Sequence, residues 1–539
     1  MKKTALLCVL SACVFAFAGC GGGNKTSPNG ELYVKDENLT STYVTDDNNR
    51  VFYEIFVGSF SDSNGDGVGD LRGIINRFDY LNDGDPNSGL SLGVEGIWLT
   101  PIFSSPSYHK YNVTNYYKVD PAFGTEEDLV ELVNLCHERN VKLILDLPIN
   151  HTSTNNAMFA SFSQAHRTGD TENKYYDYYS YYVSGQSTPP AGRSFNQLAG
   201  TDVQYECNFE GGMPELNFDN TDVREEMLDV AKYYLNLGLD GFRFDAAKYI
   251  YYGDNVKSAE FWKWYVGELK KVKSDVYTVA EVWDSDAITQ VYAPAVNCFN
   301  FTTSQSSGQI ALAAKGGDAN KYTSYVENYV KSVKAVNDDG MLIPFIANHD
   351  NDRAAGFLAL SNGQMYMGAN LLLLSCGSPF IYYGEEIGLK GSRGSASTDA
   401  NRRLAMRWGD DDTIKNPSGS TYPEMNQKNG TVKEQIGEND SLYTHYKKLI
   451  MIRKANPEIA RGEYKALKFS GTKLGGFTST LNGSTVAVLH NTTTEEITVD
   501  LSTVSDINFK TIRAAVGLNG AKLSGTTLTL GAQTSVVIK

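Results

Sequence analysis

Three carboxylates, Asp245, Glu281 and Asp350, each close a short apolar run: GFRFDAAKY (241–249), VAEVW (279–283) and FIANHD (345–350). Such runs read as strands, so each acid is delivered to a strand's C-terminal tip, where a parallel barrel carries its chemistry. Arg243 lies two residues before Asp245. Strand side chains repeat every second residue, so the two share a side, and the fixed charge of Arg243 holds Asp245 ionised at neutral pH. Glu281, flanked by Val282 and Trp283 and facing two other acids, is expected to have a raised pKa and to carry a proton it can donate.

From about residue 50 to 390 the 539-residue chain repeats strand, loop and helix. The expected strands are VFYEIFVGSF (51–60), GVEGIWLTP (93–101), VKLILDLPI (141–149), LDGFRFDA (239–246), VYTVAEVW (276–283), a weaker run from Ala295 to Phe301, MLIPFIA (341–347) and SPFIYYG (378–384). Near-continuous apolar strands are buried on both faces, as in a parallel sheet covered by helices. The helices carry start and stop signals. Thr125-Glu126-Glu127-Asp128 is close to a capping box, followed by Leu129, Leu132, Val133 and Cys136 at helical spacing, and Gly238 stands where a helix starting near Asp222 should end.

This alternation breaks between Asn150 and Asp219, in a stretch too long for a structureless loop, which implies an inserted domain. After about Pro457, short alternating segments such as STVAVLHN (484–491), EEITVDL (495–501) and TSVVIK (534–539) indicate an antiparallel β-sandwich. The expected fold is α/β, a (β/α)8 TIM barrel with an insert after its third strand and a C-terminal sandwich. Its boundaries are barrel at 46–150 and 220–457, insert at 151–219 and sandwich at 458–539.

The formal charge of −15 and a pI near 5.0 argue against a nucleic-acid partner. Residues 1–19 read as a secretory signal, with Lys2 and Lys3 before an apolar stretch from Ala5 to Ala18, and imply export. Ala16-Phe17-Ala18 fits ordinary cleavage. Ala18-Gly19-Cys20, followed by three glycines, resembles a bacterial lipoprotein signal, making Cys20 the lipidated N-terminus and residues 20–45 a flexible tether, the sole membrane attachment. Of seven cysteines, Cys136, Cys207, Cys298 and Cys376 belong to the folded part. No C-x-x-C occurs, so zinc and redox readings lapse, while a pair between Cys207 and Cys298 stays open.

Taken together, DLPINH (146–151), GFRFDAAKY, AEVW, FIANHD, MPELN (213–217) and GSPFIYYGEEIG (377–388) resemble, in order and spacing, the signatures of the α-amylase family of glycoside hydrolases, family 13. The resemblance covers roughly residues 50–539. It implies Asp245 as nucleophile, Glu281 as acid/base, and Asp350 as a third acid that grips sugar hydroxyls and favours the distorted ring. Retaining hydrolysis needs the first two on opposite sides of the bond, about 5–5.5 Å apart, around a positive oxocarbenium-like transition state. His109, Tyr111, His151 and His349, with Arg243 and Lys248, are the implied substrate-binding residues, Tyr111 offering a face for sugar stacking. Two positions depart from the pattern: Tyr249 follows Lys248 where many relatives have His, and Asn115 replaces a common Asp.

DSNGDGVGD (62–70) resembles a calcium loop of part of the same family. Asp62, Asn64, Asp66 and Asp70, with the carbonyl of Val68, are oxygen donors suited to one structural Ca²⁺, against the alternative of a solvated turn. KYYDYYSYY (174–182) is either packing of the insert or a sugar-stacking surface.

The expected activity is retaining hydrolysis of α-1,4-glucosidic bonds in starch or maltodextrins, by a secreted enzyme tethered to the cell surface. Ala246 stands after the nucleophile where α-1,6-specific relatives tend to have Val, and MPELN differs from the QPDLN of oligo-1,6-glucosidases. A neopullulanase-like, maltogenic, α-1,6-acting or transglycosylating enzyme is the alternative within the family. From another class, an inactive glucan-binding surface protein is opposed by the presence of all three acids and Arg243.

Overall fold

The computed structural model describes residues 41, 43–505 and 507–539. The expected signal, Cys20 and most of the tether lie outside the described residues. Seven parallel strands form one curled sheet in the order Asn297–Cys298, Tyr277–Ala280, Gly241–Phe244, Lys142–Leu147, Gly96–Leu99, Phe52–Ile55 and Phe380–Tyr382. All their residues but Thr278 and Asn297 are buried, because helices such as Glu126–Glu138, Thr221–Asn236 and Asn255–Val272 cover the outside. Thr125 and Asp128 make the capping box, and Gly238 takes φ +104° just past the helix ending at Asn236.

Two expected strands are corrected. The run from Ala295 to Phe301 keeps only Asn297–Cys298 in the ladder, because Asn300 accepts from the Thr303 N–H (2.9 Å) and turns the chain into a 3-10 helix. Residues 341–347 form no ladder; Pro344 has no N–H to give. The segment still closes the barrel. Ser378 and Phe380 donate to its Leu342 and Pro344 carbonyls (both 2.9 Å), and Asn300 donates to the Ile343 carbonyl (2.9 Å) on the other side.

The barrel interior is layered by the two-residue repeat of its strands. Its lower part is a ring-filled core of Phe52, Trp98, Tyr277, Phe299, Phe345 and Phe380, with Phe52 stacked on Phe380 at 4.7 Å. Gly96 makes room for this: a Cβ there would lie 2.4 Å from the Phe52 ring. Above this core Glu54, two residues after Phe52, Asp146, two after Ile144, and Arg243, two after Gly241, form a buried layer, and Arg243 lies 5.2 Å over the Trp98 ring. The apolar plug thus supports a charged layer directly beneath the acids.

Between the third and fourth barrel strands lie the helix Ala157–Thr168 and a three-stranded antiparallel sheet of Tyr181–Val183, Val203–Glu206 and Phe195–Gln197. In the tyrosine-rich string, Tyr178 and Tyr179 are wholly buried, and Tyr179 packs edge-on to Phe159, so its centre is packing. The C-terminal part stacks a five-stranded sheet on a three-stranded one around Leu489, Phe509, Leu528, Leu530 and Val536. The other face of the larger sheet, with Phe477, Val486 and Val488, joins the barrel core. Cys136, Cys207, Cys298 and Cys376 are buried free thiols, so Cys207 and Cys298 do not pair.

Candidate active site

Asp245 and Glu281 each follow the last residue of adjacent barrel strands, whose register pairs Phe244 with Ala280. The Glu281 N–H donates to the Phe244 carbonyl (2.9 Å), and the Ala246 N–H donates to Glu281 Oε2 (2.9 Å). Ala246 adopts φ +47°, a left-handed conformation rare outside glycine, which aims that N–H. Arg243, with no exposed surface, joins the acids: its Nη1 donates to Asp245 Oδ1 (2.6 Å) and to Asp146 Oδ1 (2.7 Å), and its Nη2 lies 3.0 Å from Glu281 Oε2. The two acids therefore meet at one guanidinium.

Both open onto a cavity of about 850 Å³ whose wall also includes His109, Tyr111, His151, Lys248 and Asp350. Arg243 and His349 do not reach it. His349 is completely buried behind Asp350, whereas the sequence implied sugar contact. Tyr111 is nearly buried and stacks on His349 (5.5 Å, 14°). Lys248 Nζ donates to the Trp283 carbonyl (2.9 Å) and pairs with Asp284 (3.2 Å), bracing the loop after Glu281.

The electrostatics separate the acids. Burial raises the Glu281 pKa, and Asp245 and Asp350 push the same way against Arg243, leaving it above an ordinary carboxylate. At Asp350 burial also works upward, but His349 (3.2 Å) and Arg403 (2.8 Å) outweigh it and the pKa is lowered. Burial and the charge of Arg403 hold His109 down at about 3, and burial lowers His151, so both rings are neutral. Among the described residues His151 Nε2 has no hydrogen-bond partner.

Several site residues were missed by sequence reasoning. Asp146, wholly buried, links Arg243 to Tyr111, whose hydroxyl donates to it (2.8 Å); burial raises its pKa to about 7. Glu54 contacts His349 Nδ1 (2.6 Å). Arg403 holds Asp350, the His349 carbonyl (3.1 Å) and the Tyr108 hydroxyl (3.1 Å). An acid within an apolar strand, as in FYEI and KLILDL, was a readable signal for the first two. Phe209 carried none; it stays 43% exposed, packs on Tyr249 (4.8 Å) and lines the cavity.

Residues 62–70 lie apart from the cavity. Asp62 accepts from the N–H groups of Asn64, Gly65 and Gly67 and from the Thr413 hydroxyl, Asn64 from the Asp66 N–H, and Asp66 from the Val68 N–H. Asp70 caps the next helix through the Gly73 N–H (2.6 Å) and accepts from Ser63. The donors are the hard oxygens calcium takes. Among the described residues, however, no three His, Cys, Asp or Glu side chains converge as a metal site.

Comparison with known proteins agrees with this architecture. The model of the α-amylase catalytic domain matches residues 54–462. The chain is 34% identical over 494 residues to Alpha-amylase 3 of Dictyoglomus thermophilum, covering 91% of this chain and 93% of that protein. It is 28% identical to an oligo-1,6-glucosidase of Bacillus cereus, covering 86% and 94%. Its structure resembles that of Amy13B of Eubacterium rectale, with a TM-score of 0.83, 33% identity and coverage of 92% and 96%.

Proposed function

The chain belongs to the α-amylase family of glycoside hydrolases, and on that premise we propose that it hydrolyses α-1,4-glucosidic bonds of starch and maltodextrins by double displacement. Asp245 attacks the anomeric carbon while Glu281 protonates the departing oxygen; Glu281, now ionised, takes a proton from the water that releases the glycosyl ester. The observation that carries this reading is the single guanidinium of Arg243 held against both acids at one cavity. It neutralises Asp245 as an ion-pair partner, while burial and two neighbouring acids favour the protonated form of Glu281.

Asp350, with lowered pKa, is the ionised acceptor for sugar hydroxyls. Neutral His109 and His151 and the rim of Tyr111 supply further polar contacts, the unpartnered His151 Nε2 among them. Phe209, Tyr249 and Trp283 form the apolar wall beyond Glu281, on the side where the leaving sugar departs. Ala246 after the nucleophile supports the α-1,4 preference.

Asp245→Asn and Glu281→Gln are each expected to remove nearly all starch hydrolysis while melting temperature and circular dichroism stay those of a folded protein. Unchanged turnover in either rejects the assignment. Soluble starch and maltoheptaose should be cleaved in preference to pullulan and panose; the reverse order overturns the linkage. We further propose that residues 62–70 hold one structural Ca²⁺ through Asp62, Asn64, Asp66, Asp70 and the Val68 carbonyl, and that the N-terminal signal exports the enzyme and tethers it through a lipidated Cys20.

A further inference from the structure

His349 has an acceptor on each side of its ring. Nδ1 faces Glu54 Oε1 at 2.6 Å. Nε2 lies 2.7 Å from the Tyr111 hydroxyl and 3.2 Å from Asp350 Oδ2. With Asp146 ionised, the one proton of Tyr111 goes to its Oδ2 (2.8 Å), so toward Nε2 that hydroxyl can only accept. Neutral imidazole has a single N–H, and only the imidazolium satisfies a carboxylate at Nδ1 together with a hydroxyl acceptor and a carboxylate at Nε2.

We propose that Glu54 is a positioning residue whose carboxylate keeps His349 doubly protonated, so that a buried cation fixes Tyr111 and Asp350 on the cavity wall. Glu54 is 1% exposed, lies on the first barrel strand and also accepts from the His349 backbone N–H (3.3 Å). It touches no part of the cavity, so its effect passes through the imidazolium. The charges around the ring are Glu54 from the first strand, Asp350 from the ring's own loop, Asp146 reached through Tyr111, and the opposing cations Arg243 and Arg403; His109 is neutral. Burial works to discharge His349, but Asp350 and Glu54 outweigh it and raise its pKa to about 10.

The assignment of Asp350 as a binding acid rests on the function proposed above; the protonation of His349 does not. Glu54→Gln preserves an acceptor for Nδ1 and removes the charge. In the full-length protein labelled with ring-¹⁵N histidine, the His349 resonances, assigned by their loss in His349→Asn, should stay in the imidazolium form from pH 6 to pH 9. In Glu54→Gln they should titrate within that range, and kcat/KM, within about threefold of the parent at pH 6, should fall about tenfold by pH 9, one unit of ionisation being one decade of population. A neutral His349 in the parent at pH 8, or coincident titrations in parent and variant, overturns the proposal. Should Glu54→Gln fail to fold, the parent spectrum decides alone. A charged His349 in a protein that does not cleave starch would reject the proposed function and leave the role of Glu54 standing.

Discussion

Replacing Arg243 by Met tests the electrostatic core of the site with little change in volume. The guanidinium has no exposed surface and serves Asp146, Asp245 and Glu281 at 2.6–3.0 Å. Removing one partner of a buried ion pair costs about 3–5 kcal/mol, because the remaining charge is left without compensation. Protonation offsets part of this cost, with a definite sign. Asp146 is already raised to about 7 with the cation present, and its loss raises that value further. A carboxyl whose folded pKa exceeds its unfolded value of about 3.9 destabilises the fold at high pH, and the penalty fades as pH falls through the folded pKa. Urea unfolding followed by fluorescence of the five tryptophans should therefore show a loss of about 3–5 kcal/mol at pH 8 and a clearly smaller one at pH 5. Equal losses at both pH values, or a loss below about 1 kcal/mol at pH 8, would refute the reasoning.

Arg403→Met removes one of the three cations, His349, Arg403 and Arg243, that lower the Asp350 pKa. That pKa should rise, moving the acid limb of kcat/KM to higher pH, so activity at pH 5 should fall more than at pH 7; superimposable profiles contradict the role given to Arg403. For the loop at residues 62–70, chelation with EGTA should lower the melting temperature and excess Ca²⁺ restore it, since a ligand at 100 times its Kd stabilises by about 2.7 kcal/mol. Melting curves that coincide with and without chelator reject calcium there.

The acids were legible because each closes an apolar run, and the side shared by Arg243 and Asp245 followed from the strand repeat. The helix beginning after Thr125 was legible from its cap. Local pattern misled where one residue outranked the run around it: Pro344 withholds a ladder bond, and Asn300 caps a turn. Burial was the larger gap. His349, next to an acid at the cavity, looks like a substrate contact in sequence, and only the fold shows that its ring has no exposed surface and meets Glu54, Tyr111 and Asp350.

Sequence alone determined which groups stand at the strand tips, since the two-residue repeat and the end of an apolar run are properties of consecutive residues. Only the tertiary structure decided their partners and proton occupancy. Glu54, Asp146, Arg243, His349 and Arg403 come from separate segments spread between positions 54 and 403, and closure of the barrel brings them within hydrogen-bond reach of one another or of the acids, over an aromatic plug. Charge in such a place is set by distance and by exclusion of water, and neither is written in the order of the chain.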